Sequence, residues 1–241
     1  MNPLVLVHGF MGGSAQWDRQ IADLGRACDV VSVDLPGFGA NAALSPVDTI
    51  EGFAEWVIDE LEQQGIRQFD LMGHSMGGMI VQEIAHLVPD RIATLILYAT
   101  GSVGVLPGRF ETISESRARA RRDGPVTTAR RISATWFLDG EAAPAYPDCA
   151  AIAELAGTDA IDAGLRAMER WTGKDRLDRI GARTLVIWGD WDRTYKWEQI
   201  ELLWQRIPAA SLAVVPNCAH AVHLEKPDLF NQIVSDFLHT T

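Results

Sequence analysis

Residues 73–77 read Gly-His-Ser-Met-Gly, a serine with one glycine two places before it and another two places after. An apolar run at 69–72 leads into it, and a helical pattern (Ile80, Val81, Ile84, Leu87) follows. Ser75 therefore stands where a strand must turn sharply into a helix. Side chains at 73 and 77 would collide with the neighbouring elements at such a turn, while the N–H groups of the helix N-terminus face the hydroxyl. A hydroxyl presented in this way can act as a nucleophile in acyl transfer, but only if a base takes its proton and an acid orients the base. Six histidines are available: His8, His74, His86, His220, His223 and His239. A base that reaches a serine above the strand ends belongs in a loop after a late strand. The segment PNCAHAVHLEKP (216–227) follows the apolar run 212–215 and offers His220, with His223 as its rival. The acid belongs in the loop before that strand, where GDWDRTY (189–195) offers Asp190 and Asp192.

The elements that must position these groups are legible as short apolar runs at 4–7, 30–33, 69–72, 93–98, 184–188 and 212–215. Their length and Val/Ile/Leu content suit strands buried on both faces, as in a parallel sheet. Helical patterns lie between them. In 48–65, Ile50, Phe53, Ala54, Val57 and Leu61 form one stripe, with Asp48 and Glu51 marking the start and Gly65 the stop. Near the end, Pro227 suits a first helical turn, and Leu229, Phe230, Ile233, Val234, Phe237 and Leu238 form a docking face. Alternating strand and helix imply a doubly wound α/β fold with helices on both sides of the sheet. The alternation breaks between about 108 and 175, which reads as a helical insertion, a lid over a core formed by 1–107 and 176–241 within a single domain. Its front, from Arg109 to Arg131, carries seven arginines against Glu111, Glu115 and Asp123. These are either solvated helix faces or a site where one or two arginines meet an anionic substrate group.

A chain of 241 residues, 47% hydrophobic, is long enough for one sizeable core. The formal charge of −11 repels phosphates and anionic lipid heads, so neither nucleic acid nor membrane is an expected partner. Cys28, Cys149 and Cys218 have no metal-ligand spacing and read as reduced thiols. No signal-peptide pattern and no apolar stretch of about 18 residues is present, so a cytoplasmic protein is expected.

Four separated segments, HGFMGG (8–13), DLPGFG (34–39), GHSMGG (73–78) and GDWD…CAHAVHLEKP (189–227), resemble the α/β-hydrolase superfamily, in its order and over nearly the whole chain except the insertion. The resemblance implies Asp192 as the acid, His220 as the base and Ser75 as the nucleophile. It implies backbone N–H groups of Phe10 and Met76 as the oxyanion hole, and no cofactor. In the same light His8 braces the oxyanion loop, Asp34 is a structural loop carboxylate, and Met76 and Met79 are packing side chains. Trp136, Phe137 and Trp171 either pack within the insertion or line an acyl or aryl pocket, for which His74 and Val222 are further candidates. Two departures stand out. Ala219 replaces the family's usual glycine, where a positive φ would be strained. The HG pair falls at residue 8, without space for the hairpin that commonly precedes that strand, so a shortened sheet of about six strands, mostly or all parallel, is expected.

Serine at 75 argues against epoxide hydrolases and haloalkane dehalogenases, which use aspartate there. HGFMGGSAQW is similar to menaquinone-pathway synthases, but Met79 stands where those have arginine. The expected activity is hydrolysis of small carboxylic esters or lactones through an acyl-serine. The alternatives are carbon–carbon hydrolysis of meta-cleavage diketo acids, whose enzymes use a lid arginine, and a non-catalytic ligand-binding module on the same scaffold. Oligomeric state is not readable.

Overall fold

Runs of aliphatic residues with no polar side pair into a sheet that is covered on both faces. In the computed structural model, which describes residues 2–108 and 111–240, the six runs become β1 (Leu4–Val7), β2 (Val30–Val33), β3 (Phe69–His74), β4 (Ile92–Tyr98), β5 (Arg183–Gly189) and β6 (Ser211–Val215). Arg109 lies outside the described residues. Among those described, the strands form one sheet in the order β2-β1-β3-β4-β5-β6, with every pair parallel. Helices fill the connections: α1 (Asp18–Leu24), α2 (Ile50–Gln63) and α3 (Met76–Leu87) come first. Between β4 and β5 come α4 (Ile113–Asp123), α5 (Pro125–Ala134), α6 (Tyr146–Ala153) and α7 (Thr158–Arg170). The chain ends with α8 (Trp197–Arg206), α9 (Val222–Glu225) and α10 (Pro227–His239).

Successive strand residues point to opposite faces, and the two cores follow that alternation. Val5, Val7, Leu71, Leu95, Leu97 and Val186 pack with Phe53 and Val57 of α2 and with Ile80 and Ile84 of α3. Leu4, Leu6, Met72, Ile96, Tyr98 and Ile187 pack on the other face with Trp17, Leu24 of α1, and Phe230 and Val234 of α10. The expectation of strands buried on both faces holds for the central strands only. At the edges, Val30, Val31 and Ser32 of β2 are half-buried and Val214 of β6 is 45% exposed, because an edge strand has one neighbour and thinner helical cover. Two further details differ from expectation. The cap of α2 is Thr49, whose hydroxyl accepts the Gly52 N–H at 3.1 Å, while Asp48 lies 3.6 Å from Arg170. Leu229 is 39% exposed, so α10 docks through Phe230, Val234 and Phe237.

The chain crosses from one side of β1 to the other between β2 and β3, so the carboxyl ends of β1 and β3 border the crevice where doubly wound sheets bind ligands. The insertion sits over that edge. Its two ends are tied together by an antiparallel bridge between Val103 and Thr172, with the Gly104 N–H donating to Trp171 O at 3.1 Å and the Gly173 N–H to Ser102 O at 2.9 Å. Within it, Asp162 of α7 gathers Arg117 (2.9 Å) and Arg121 (2.8 Å) of α4 and Arg166 (3.0 Å). Among the described residues no helix is long and apolar enough to cross a membrane.

Candidate active site

Ser75 lies between the last residue of β3 and the first of α3, with φ 56° and ψ −117°, a conformation disfavoured for any residue with a Cβ. Hydrogen bonds on both sides hold it there. Its N–H donates to Tyr98 O at 3.0 Å, and its carbonyl accepts from the Thr100 hydroxyl at 2.7 Å and the Gly78 N–H at 2.9 Å. The flanking glycines are steric necessities. A Cβ on Gly77 would lie 2.3 Å from Val7 O, and one on Gly73 would lie 2.3 Å from Gly77 O. Both obstacles are backbone atoms of the central sheet and the elbow, which have little room to give. Gly77→Ala is accordingly expected to destabilise the fold by about 3 kcal/mol or more. A thermal melt checks this, and an unchanged Tm would mean that α3 can slide off the sheet at no cost.

The candidate base and its candidate orienting acid come from the loops after β6 and β5. His220 Nδ1 lies 2.9 Å from Asp192 Oδ2, and both side chains are almost wholly buried. The second oxygen of Asp192 accepts from the Thr194 N–H at 2.7 Å and the Tyr195 N–H at 3.2 Å, which fixes the carboxylate plane. Asp190, the other candidate acid, is exposed and turns to the Cys218 N–H. The backbone of His220 is also anchored: its carbonyl accepts from His74 Nε2–H and the Tyr98 hydroxyl, each at 3.1 Å. The Tyr195 ring stacks parallel to the His220 ring, 5.7 Å away.

His223, the rival base, is buried behind this site. Its Nδ1 lies 2.9 Å from the Tyr98 hydroxyl, and among the described residues its Nε2 has no hydrogen-bond partner. Burial, and then the proximity of His220, pushes its imidazolium down to about 3. Burial likewise holds His74 well below the ordinary histidine range, with His220 and His223 adding to the effect. Two of the three clustered histidines are thus kept neutral, and of the three only His220 is bonded to a carboxylate. His8 accepts the Leu35 N–H at Nε2 (3.0 Å), so Nδ1–H donates to Gly9 O (2.8 Å), tying the ends of β1 and β2 together. Asp34 accepts from the Ser14 N–H (2.8 Å) and hydroxyl (2.6 Å), a loop-bracing role.

Ser75, His220, His74, Phe10 and Trp136 all line one cavity of about 1010 Å³ beneath the insertion. Phe10 sits in the loop after β1, and Met76 is the first residue of α3, so its N–H has no partner within the helix. Met76 and Met79 are fully buried in the core. Three proposed pocket residues lie elsewhere. Trp171 donates its indole N–H to Glu83 Oε1 at 2.6 Å, and Arg176 donates to the same carboxylate, anchoring the exit of the insertion on α3. Phe137 is fully buried in the core, and Val222 packs with Phe230 on the α10 face. Ala219 does not take a positive φ; Asn217, two residues earlier, does so instead at 52°. The loop turns at asparagine, which tolerates that region, so no glycine is required at 219.

Glu225 was not singled out from the sequence. Its two oxygens accept from the Ala219 and Leu138 N–H groups, both at 2.7 Å, while the Ala221 N–H donates to Trp136 O at 2.9 Å. The base loop is thereby fastened to the insertion. Arg193, next to the acid, adds a bond to Leu138 O at 3.1 Å. The three cysteines are free, and burial, countered in part by the Gln16 amide, pushes the Cys149 thiol up to about 12, so it is no nucleophile. Among the described residues no group of three or more His, Cys, Asp or Glu is placed to hold a metal ion.

A six-stranded parallel sheet with a strained serine at the β3–α3 elbow, and a buried His–Asp pair from the last two strand loops, defines the alpha/beta hydrolase family. The chain belongs to it, the family model matching residues 4–233. The sequence is 28% identical over 242 residues to a provisionally named carbamate hydrolase of Pseudomonas savastanoi pv. phaseolicola, covering 98% of this chain and 93% of the relative. It is 26% identical over 260 residues to the 2-hydroxy-6-oxo-6-phenylhexa-2,4-dienoate hydrolase of Comamonas testosteroni, covering 98% and 87%. Among solved structures, a thermophilic esterase from Thermogutta terrifontis superposes with a TM-score of 0.89 at 26% identity, over 99% of this chain and 89% of that one.

Proposed function

We propose that the protein is a serine hydrolase of small carboxylic esters or lactones, with the helical insertion as the lid of its pocket. The observation that carries this reading is the His220–Asp192 pair, 2.9 Å apart and buried, sharing a cavity with a serine held at φ 56°. Ser75 Oγ attacks the carbonyl carbon as its proton passes to His220 Nε2, and the carbonyl electron pair moves to oxygen. The N–H groups of Phe10 and Met76 bind that oxyanion, a stabilisation typically worth about 10²–10³ in kcat for each donor. As the tetrahedral carbon collapses, the alcohol leaves with the proton from His220. Water, deprotonated by His220, then attacks the acyl-serine, and the acid departs as Ser75 is reprotonated. This cycle calls on no metal or organic cofactor. The expected partner is a small molecule in the cytoplasm, not nucleic acid or membrane.

A fluorophosphonate probe tests the assignment, because it reacts with a serine only when that serine is activated. Covalent labelling of Ser75, found by peptide mass, is the expected outcome. Folded protein that resists the probe would instead be a non-catalytic ligand-binding module. A second reading, carbon–carbon cleavage of a vinylogous diketo acid, is favoured by the similarity to the Comamonas hydrolase. Parallel assays with a short-chain p-nitrophenyl ester and such a diketo acid separate the two.

A further inference from the structure

The arginines at the front of the insertion differ in what they touch. Arg117 and Arg121 pair with Asp162 at 2.9 and 2.8 Å, and Arg122 with Asp123 at 2.9 Å. Arg119 bridges Asp123 (3.4 Å) and Glu111 (3.6 Å), and Arg130 meets Glu154 at 2.6 Å. Arg131 is the exception. Among the described residues it forms no ion pair, and its Nε is buried with no hydrogen-bond partner. Its position is set by helix geometry: Thr128, Arg131 and Ile132 of α5 and Thr135, which caps its C-terminus, are spaced three and four apart and all line the cavity that holds Ser75 and His220. Arg130, one step round the helix, points to Glu154 instead. Burial, and then the nearby Arg119, weakens the hold of Arg131 on its proton, while Glu111 and Asp123, neither close enough to form an ion pair with it, oppose that effect.

The charge inside the cavity is the opposite of that outside. Arg131, Arg193 and Lys196 line it against Glu111 and Glu198, in a chain whose formal charge is −11. Arg193 and Lys196 already donate to the carbonyls of Leu138 and Asp192. Arg131 therefore keeps an unused guanidinium fork, a shape that matches a carboxylate with two parallel hydrogen bonds.

We propose that Arg131 receives a carboxylate at the end of the substrate remote from the reacting carbonyl. The cavity then takes hemiesters of dicarboxylic acids, or lactones bearing a carboxylate, in preference to neutral esters. This inference rests on the ester-hydrolase reading for its turnover test, and a binding test stands apart from it.

For turnover, kcat/KM is measured for the monomethyl and dimethyl esters of a series of straight-chain dicarboxylic acids. The wild type should favour the monomethyl ester, most strongly at the chain length that spans Ser75 to Arg131. In Arg131→Gln that ratio should fall about 10- to 100-fold, and Arg131→Lys should restore part of it. The wild-type preference should also fade with added salt. For binding, calorimetry with Ser75→Ala should show the free dicarboxylate held more tightly than its dimethyl ester, a difference that Arg131→Gln abolishes. Dicarboxylate binding that depends on Arg131, without any ester turnover, would keep the subsite and overturn the ester reading. Equal rates for both esters in the wild type at every salt concentration would overturn the proposal even if Arg131→Gln did not fold, and so would dicarboxylate binding that a folded Arg131→Gln leaves unchanged.

Discussion

Ser75→Ala is expected to lose ester hydrolysis by about 10⁶-fold in kcat while keeping its fold, the scale seen when the nucleophile of a serine–histidine pair is removed. The separation of the two effects follows from the elbow. The strain at φ 56° comes from having a Cβ at all, and alanine has the same Cβ as serine. The bonds that hold the turn, from the Ser75 N–H to Tyr98 O and from the Thr100 hydroxyl to Ser75 O, use the backbone and survive the change. What disappears is the hydroxyl that the half-buried side chain carries into the cavity. The residual rate, about 10³–10⁴ over the reaction in water, would come from the oxyanion donors and binding alone. Initial rates with a short-chain p-nitrophenyl ester, together with a thermal melt, check both halves. Turnover near the wild-type rate would remove Ser75 from the mechanism.

Asp192→Asn is the second large effect, about 10⁴-fold in kcat. One oxygen of Asp192 accepts from the Thr194 and Tyr195 N–H groups, and an asparagine oxygen can take over that place. Its NH₂ group then replaces the oxygen 2.9 Å from His220 Nδ1. An amide donor facing Nδ1 stabilises the tautomer whose proton sits on Nε2, and that nitrogen can no longer accept the serine proton. The predicted signature is a loss in kcat at nearly constant KM, because substrate contacts are untouched. A loss confined to KM would mean that Asp192 shapes the pocket rather than the base.

The parts of the molecule governed by local pattern were readable in advance, and those governed by who meets whom in space were not. β1 and β2 begin and end where their apolar runs do, because a short aliphatic stretch between polar loops has no other place to go. β3 and β5 run on to His74 and Gly189, residues that look like loop in sequence but are drawn into the sheet as they approach the site. That Ser75 would share a site with a histidine and an aspartate from the last two strand loops was legible because an elbow and late strand loops constrain chain position. The pocket was not. Trp136 and Trp171 are both buried aromatics of the insertion, and nothing in periodicity distinguishes a ring that borders a cavity from one that binds Glu83. Arg131 had six arginine neighbours in sequence, and only the distribution of Asp162, Asp123 and Glu154 among the others isolates it. Tyr98 was visible as a strand residue, but its hydrogen bond to His220, 122 positions away, belongs to the tertiary fold alone.

The insertion is fastened to the sheet core unevenly, and under the proposed function that sets how its specificity could be transplanted. One attachment is its own stem, where Ser102, Val103 and Gly104 pair with Trp171, Thr172 and Gly173, a seam that any donor segment of similar length could close. A second is the corner from Trp136 to Leu138, whose backbone is bonded to Ala221, Glu225 and Arg193, residues flanking the candidate base and acid. A chimera cut only at the stem would import a foreign corner and shift His220 along with the pocket. If residues 136–138 stay with the recipient and the exchange is limited to the helices around them, substrate choice becomes a replaceable cartridge and the proton-transfer machinery a fixed chassis.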